Sequence, residues 1–88
     1  MELKQAATCG THASSDVYIE VYPDSEVLEI NIDSPVKAQF GEAIDQTVRE
    51  VLADYGLTKG RVQLQDQGAL DCTIRARLKT ALERGGLR

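Results

Sequence analysis

Few side chains in this sequence are spaced to do chemistry. His12 is the single histidine, and the serines and carboxylate nearest to it, Ser14, Ser15 and Asp16, fall within the same five residues, His12 to Asp16. A Ser–His–Asp triad needs the base held in space between nucleophile and orienting carboxylate, with donors preorganised for the oxyanion. A short polar tip open to water provides neither, so no hydrolytic site is expected there. Such a tip does present a hydroxyl that a modifying enzyme can reach. The same composition also describes an ordinary turn, because Ser and Asp bond their own backbone. The seven glycines form no GxGxxG and no phosphate loop ending in GKS or GKT. The carboxylates lack calcium-loop spacing. Cys9 and Cys72 stand 63 positions apart with no CxxC pair, which excludes a zinc-finger pattern and a disulfide-rich scaffold. No catalytic or metal-ligating residue is expected.

The missing site agrees with the scale of the chain. Its 88 residues, 42% hydrophobic and 27% charged, suit one folded domain spanning 1–88. With no Trp, one Phe and three Tyr, the core is modest. A binding module, a carrier or a subunit of something larger is the better expectation. A net charge of −4 argues against nucleic acid as a partner, since phosphate binding needs a basic surface. No apolar run approaches the ~20 residues of a membrane span, and no signal-peptide core opens the chain. A reduced, cytoplasmic setting without a membrane is the expectation. The charge is uneven: residues 1–70 sum to −7, residues 71–88 to +3. The basic set Arg75, Arg77 and Lys79 is a candidate contact for an acidic partner, although a solvated helix face explains it equally.

The elements that must position the tip are legible from periodicity. Ala7, Cys9 and Thr11 suit one face of a first strand. Val17–Tyr22 alternates as a strand with Val17, Ile19 and Val21 inward. Val27–Ile32 alternates again with Leu28, Ile30 and Ile32 inward, and the turn residues between suggest a hairpin of these two runs. Ser34 suits a helix N-cap with Pro35 in the first turn. Val36, Phe40, Ile44, Val48, Val51, Leu52 and Tyr55 then form one stripe, ended by Gly56 with Leu57 folding back on Leu52. Arg61–Gln65 is a further strand, and Asp71 caps a second helix striped by Ile74, Leu78, Ala81 and Leu82 and closed at Gly85-Gly86. The expected fold is a small two-layer α+β domain, β-β-β-α-β-α. Its sheet has about four strands, mostly antiparallel, with both helices on one face.

Asp33-Ser34-Pro35 partly imitates the Asp-Ser-Leu motif where the all-helical acyl carrier proteins attach phosphopantetheine. Strands precede the helix here, proline replaces leucine, and Ser34 has a capping role. Ser34 is therefore set aside. A longer match is more specific. Asp66-Gln67-Gly68-Ala69-Leu70-Asp71-Cys72-Thr73-Ile74-Arg75-Ala76-Arg77-Leu78 resembles the signature of the citrate lyase acyl carrier protein (gamma subunit) family. Gln39-Phe40-Gly41, Ala43-Ile44, Val51-Leu52, and the stretch from Ala6-Ala7 through Gly10-Thr11 to Ser14-Ser15-Asp16-Val17 agree with it. The resemblance covers nearly the whole chain.

In that family a serine two places before an Asp-Val pair carries the prosthetic group. The resemblance therefore implies that Ser14 bears 2'-(5''-phosphoribosyl)-3'-dephospho-coenzyme A through a phosphodiester, with Ser15 where relatives often have Gly or Ser. It implies a non-catalytic carrier of acetyl and citryl thioesters during cleavage of citrate to acetate and oxaloacetate. It also implies four partners: the citrate lyase alpha (acyl transferase) and beta (citryl lyase) subunits, the attaching enzyme and an acetylating ligase. The carrier subunit of malonate decarboxylase is the nearest alternative, and an unmodified protein-interaction domain is the alternative of another class.

Overall fold

A computed structural model describes residues 2–87; Met1 and Arg88, the latter one of the basic C-terminal residues, lie outside them. The elements follow the expected order: β1 (Ala7–Gly10), β2 (Val17–Tyr22), β3 (Leu28–Asp33), α1 (Lys37–Asp54), β4 (Gly60–Asp66) and α2 (Asp71–Arg84). Thr11 falls outside β1.

The four strands form one sheet in the order β1-β2-β4-β3. β1 pairs antiparallel with β2, opposing Cys9 to Ile19, and β2 pairs antiparallel with β4, opposing Ile19 to Leu64. β3 pairs parallel with β4, opposing Ile32 to Leu64. The expected hairpin between Val17–Tyr22 and Val27–Ile32 does not form, because β4 lies between those strands. The reason is the crossover. A helix of 18 residues spans ~27 Å, so it returns the chain to the starting edge and the next strand runs parallel to β3. Burial follows this order: Val62 and Leu64 of central β4 are at most 1% exposed, whereas Leu28, Ile30 and Ile32 of edge strand β3 are half-buried.

α1 packs over β3, α2 packs over β1 and β2, and the two helices touch. The core between helices and sheet gathers Val17, Ile19, Val21, Ile44, Val48, Val51, Leu52, Ile74, Leu78 and Leu82. Tyr18, Glu20, Tyr22, Arg61, Gln63 and Gln65 alternate onto the other, half-exposed face. No helix among the described residues is long and apolar enough to cross a membrane.

Three details of the helices differ from expectation. Ser34 is not the N-cap, since α1 begins at Lys37 with Val36 in the cap position and no side-chain cap. Phe40 leaves the stripe and is 53% exposed, while Thr47, near the middle of the helix, is buried. Asp71 is the first residue of α2 rather than its cap. Its carboxylate accepts the Thr47 hydroxyl at 2.5 Å and Arg75 Nε at 2.7 Å, and a guanidinium partner is the stronger competitor for a carboxylate. The ends agree better. Gly56 takes φ 68°, and Leu57 N–H then donates to Leu52 carbonyl at 3.0 Å, the hydrogen bond of a helix stop closed by a left-handed residue.

Candidate functional site

β1 ends at Gly10, and only glycine fits there. Its φ is 98°, and a Cβ would lie 1.8 Å from the Val17 carbonyl oxygen. That close approach brings the start of β2 against the end of β1 and forces residues 11–16 out as a compact tip. Within it, Ala13 N–H donates to Thr11 Oγ1 at 3.2 Å, and Asp16 N–H donates to the Ala13 carbonyl at 3.1 Å. Ser14 and Ser15 are thus the central residues of a four-residue turn. Ser15 has φ 65°, the only non-glycine residue with positive φ among those described. A turn that needs positive φ at its third residue normally favours glycine or asparagine there.

The Asp16 carboxylate organises the tip. It accepts the Thr11 hydroxyl at 2.7 Å, Val17 N–H at 2.8 Å, and Arg77 Nε at 3.1 Å. These donors favour the ionised form and hold its pKa down to about 2, the Thr11 hydroxyl contributing most, then the Val17 amide, then Arg77. The tip is also stitched to the loop after β4: Ser15 N–H donates to the Gln67 carbonyl at 2.7 Å, and Gln67 N–H to the Asp16 carbonyl at 2.9 Å. Arg77 reaches it from α2.

The hydroxyls of the four serines have unlike surroundings. Ser25 Oγ accepts Val27 N–H. Ser34 Oγ donates to Asp66 Oδ2 at 2.8 Å and accepts Val36 N–H at 3.2 Å. Ser14 and Ser15 are exposed, and among the described residues neither hydroxyl has a hydrogen-bond partner. His12 stacks on Tyr18 with ring centroids 4.6 Å apart, and the Asp16 carboxylate is occupied by Thr11, Val17 and Arg77. Among the described residues no hydrogen bond joins His12 to Ser14, Ser15 or Asp16.

The basic set is divided between the tip and the α1–α2 contact. Arg77 is a tip residue. Arg75 bonds Asp71 at 2.7 Å and Glu50 at 2.9 Å, so both guanidinium groups are used within the chain and do not form a free patch with Lys79. Sequence reasoning missed Asp66 and Gln67, and placed Arg77 in a basic set rather than at the tip. Asp66 is 2% exposed and joins Ser34 to the Ala69 N–H, 2.9 Å away. A signal was available: Asp66 continues the inward phase of Val62 and Leu64, and a carboxylate in an inward position needs partners.

Beside the tip, the first half of α1 and the β4–α2 loop enclose a groove of about 480 Å³ lined by Val36, Phe40, Ile44, Leu70 and Ile74, with Thr47, Asp66 and Asp71 among its polar residues. No group of three or more His, Cys, Asp and Glu side chains suited to a metal ion occurs among the described residues.

Comparison with known proteins gives this arrangement relatives. Residues 4–85 match the family model for acyl carrier proteins described as malonate decarboxylase delta subunit (MdcD). The citrate lyase acyl carrier protein of Haemophilus influenzae strain PittEE is 50% identical over 96% of this chain and 87% of its own length. That of Treponema denticola is 44% identical over 96% and 95%, and that of Latilactobacillus sakei 47% over 97% and 84%. A chain in the crystal structure of a Pseudomonas malonate decarboxylase hetero-tetramer in complex with malonate shares the fold, with a TM-score of 0.78 over 94% of this chain and 86% of that chain at 17% identity.

Proposed function

We propose that this chain, which belongs to the citrate lyase acyl carrier protein family, is a non-catalytic carrier, residues 1–88 forming a single acyl carrier domain with its arm attached at Ser14. The single observation that carries the reading is a tip hydroxyl that is exposed and unpartnered on a backbone pinned on both sides; Ser15 shares that state, and the place two residues before Asp16-Val17 selects Ser14. Those residues fit a phosphodiester-linked group, since an attaching enzyme needs a reachable nucleophile. When bound, 2'-(5''-phosphoribosyl)-3'-dephospho-coenzyme A supplies a terminal thiol that holds acyl groups as thioesters.

The chain's own residues present the attachment point. Asp16, ionised through Thr11, Val17 and Arg77, locks the turn. Gln67 fixes the tip to the loop before α2. The core beneath holds that frame rigid while Ser14 itself stays free. A tethered cargo then meets each partner site at high effective concentration, which is the whole contribution of a carrier.

The partners in this reading are the alpha and beta subunits of citrate lyase, the attaching enzyme and an acetylating ligase. A second reading, the carrier of malonate decarboxylase, is favoured by the description of the matching family model. Reconstitution separates the two. Modified chain with its arm thiol acetylated, added to citrate lyase alpha and beta subunits, should restore citrate cleavage, and unmodified chain alone should give none. Activity restored only with malonate decarboxylase subunits would transfer the assignment, and cleavage by the unmodified chain alone would overturn the carrier reading.

A further inference from the structure

The groove between α1 and the β4–α2 loop has no part in presenting Ser14, yet it is joined to the tip. Ser15 N–H bonds the Gln67 carbonyl at 2.7 Å, and the next residue, Gly68, lines the groove. One loop residue therefore separates the attachment turn from the groove wall. At about 480 Å³ the groove lies within the ~300–1,000 Å³ typical of small-molecule sites. Phe40 and Leu70, 53% and 69% exposed, leave large apolar side chains at this groove, open to solvent. Its charged lining residues are Asp66 and Asp71; no cation lines it, and the Arg75 guanidinium that pairs with Asp71 at 2.7 Å is not among the lining residues.

We infer that the groove is the resting site of the uncharged end of the arm attached to Ser14, and that it rejects that end when it carries carboxylates. The inference rests on the Ser14 reading. The apolar lining offers burial to a neutral thiol or a small neutral acyl group. A carboxylate-bearing load would give up its hydration in a groove that returns no cation, facing two acidic side chains. A neutral load is thus sheltered against the chain, and a polycarboxylate load is displayed to solvent and partners. Adjacency to the tip and the absence of cationic lining favour the arm over a partner protein as occupant.

The test uses the full chain with Cys72→Ser, because Cys72 is exposed and would compete for thiol reagents, while Cys9 is buried. The chain is loaded by the attaching enzyme, and its arm thiol is capped with iodoacetamide (neutral) or iodoacetate (anionic), two caps of nearly equal size. Peptide mass mapping first confirms an adduct on Ser14. Methyl NMR then compares unmodified and capped proteins. The neutral cap should shift the Ile44, Ile74 and Leu70 methyls; the anionic cap should lose most of that shift, and Phe40→Asp should abolish it. An adduct on Ser14 with no shift under either cap, or equal shifts under both, overturns the groove inference and leaves the Ser14 reading standing. Shifts that arise only when lyase subunits are added make the groove a partner surface and also overturn it. No adduct on Ser14 overturns both.

Discussion

The turn carrying Ser14 and the turn carrying Ser34 are built from the same materials, a serine beside an aspartate in a short polar connection. At Ser34 the hydroxyl is spent on the fold: it joins buried Asp66 to the start of α1. At the tip the arrangement is reversed. The neighbours do the structural work, through Thr11, Asp16 and the Gln67 backbone, and the Ser14 hydroxyl is left out of it. Local sequence cannot separate the two cases. What separates them is whether a buried carboxylate stands opposite the hydroxyl, which is a property of the packed chain.

The comparison can be broken most severely at Asp66. Asp66→Ala strands the Ser34 hydroxyl and the Ala69 amide together and should cost about 3 kcal/mol, read by urea denaturation. A loss below about 1 kcal/mol would mean that the Ser34 turn is not held as described. Next, Ser34→Ala should cost about 1 kcal/mol, whereas Ser14→Ala should stay within about 0.5 kcal/mol, because it removes an exposed group with no partner. Equal costs would erase the contrast between the turns.

A smaller, local effect is expected at Asp16. Its folded pKa is depressed to about 2, so its ionised contacts hold the tip at any pH above the unfolded value near ~3.9 and are lost as pH falls from there through 2. Carboxyl NMR should place the titration near 2. Thr11→Val and Arg77→Gln should each raise it, since each removes a donor that favours the ionised form. An unchanged titration in both would mean that these donors do not hold the carboxylate. The smallest effect belongs to Ser15→Gly. Glycine relieves the positive φ but adds freedom to the unfolded chain, so stability should change by no more than about 0.5 kcal/mol. Ser15→Val, β-branched in a conformation such residues resist, should be clearly worse.

Much of the fold was legible because it depends on local periodicity. The alternation of Val17, Ile19 and Val21, the stripe from Ile44 to Tyr55 and the stop at Gly56 each carry their own signal. The pairing of β2 and β3 was misread because alternation says which face is buried and not which strand is the neighbour. The length of α1 and the parallel return to β4 decided that. Phe40 fits the helical period yet lies at the groove, beyond the reach of the sheet. Of the candidate site, Ser14 came from a resemblance together with exposure. Its frame was invisible, since Arg77 is 61 positions from Asp16 and Gln67 acts through its backbone alone. The loop–helix block from Asp66 to Leu78, the longest stretch of the resemblance, contains Asp66, Gln67 and Arg77. Part of it buttresses the tip, and part walls the groove.

The central claim, that Ser14 rather than its chemical twin Ser15 or the engaged Ser34 bears the arm, is tested most directly by peptide mass mapping. Wild-type chain and the Ser14→Ala, Ser15→Ala and Ser34→Ala variants are incubated with the attaching enzyme and the activated coenzyme-derived group. Adducts on the tip peptide of every protein except Ser14→Ala are predicted; an adduct retained in Ser14→Ala would contradict the assignment.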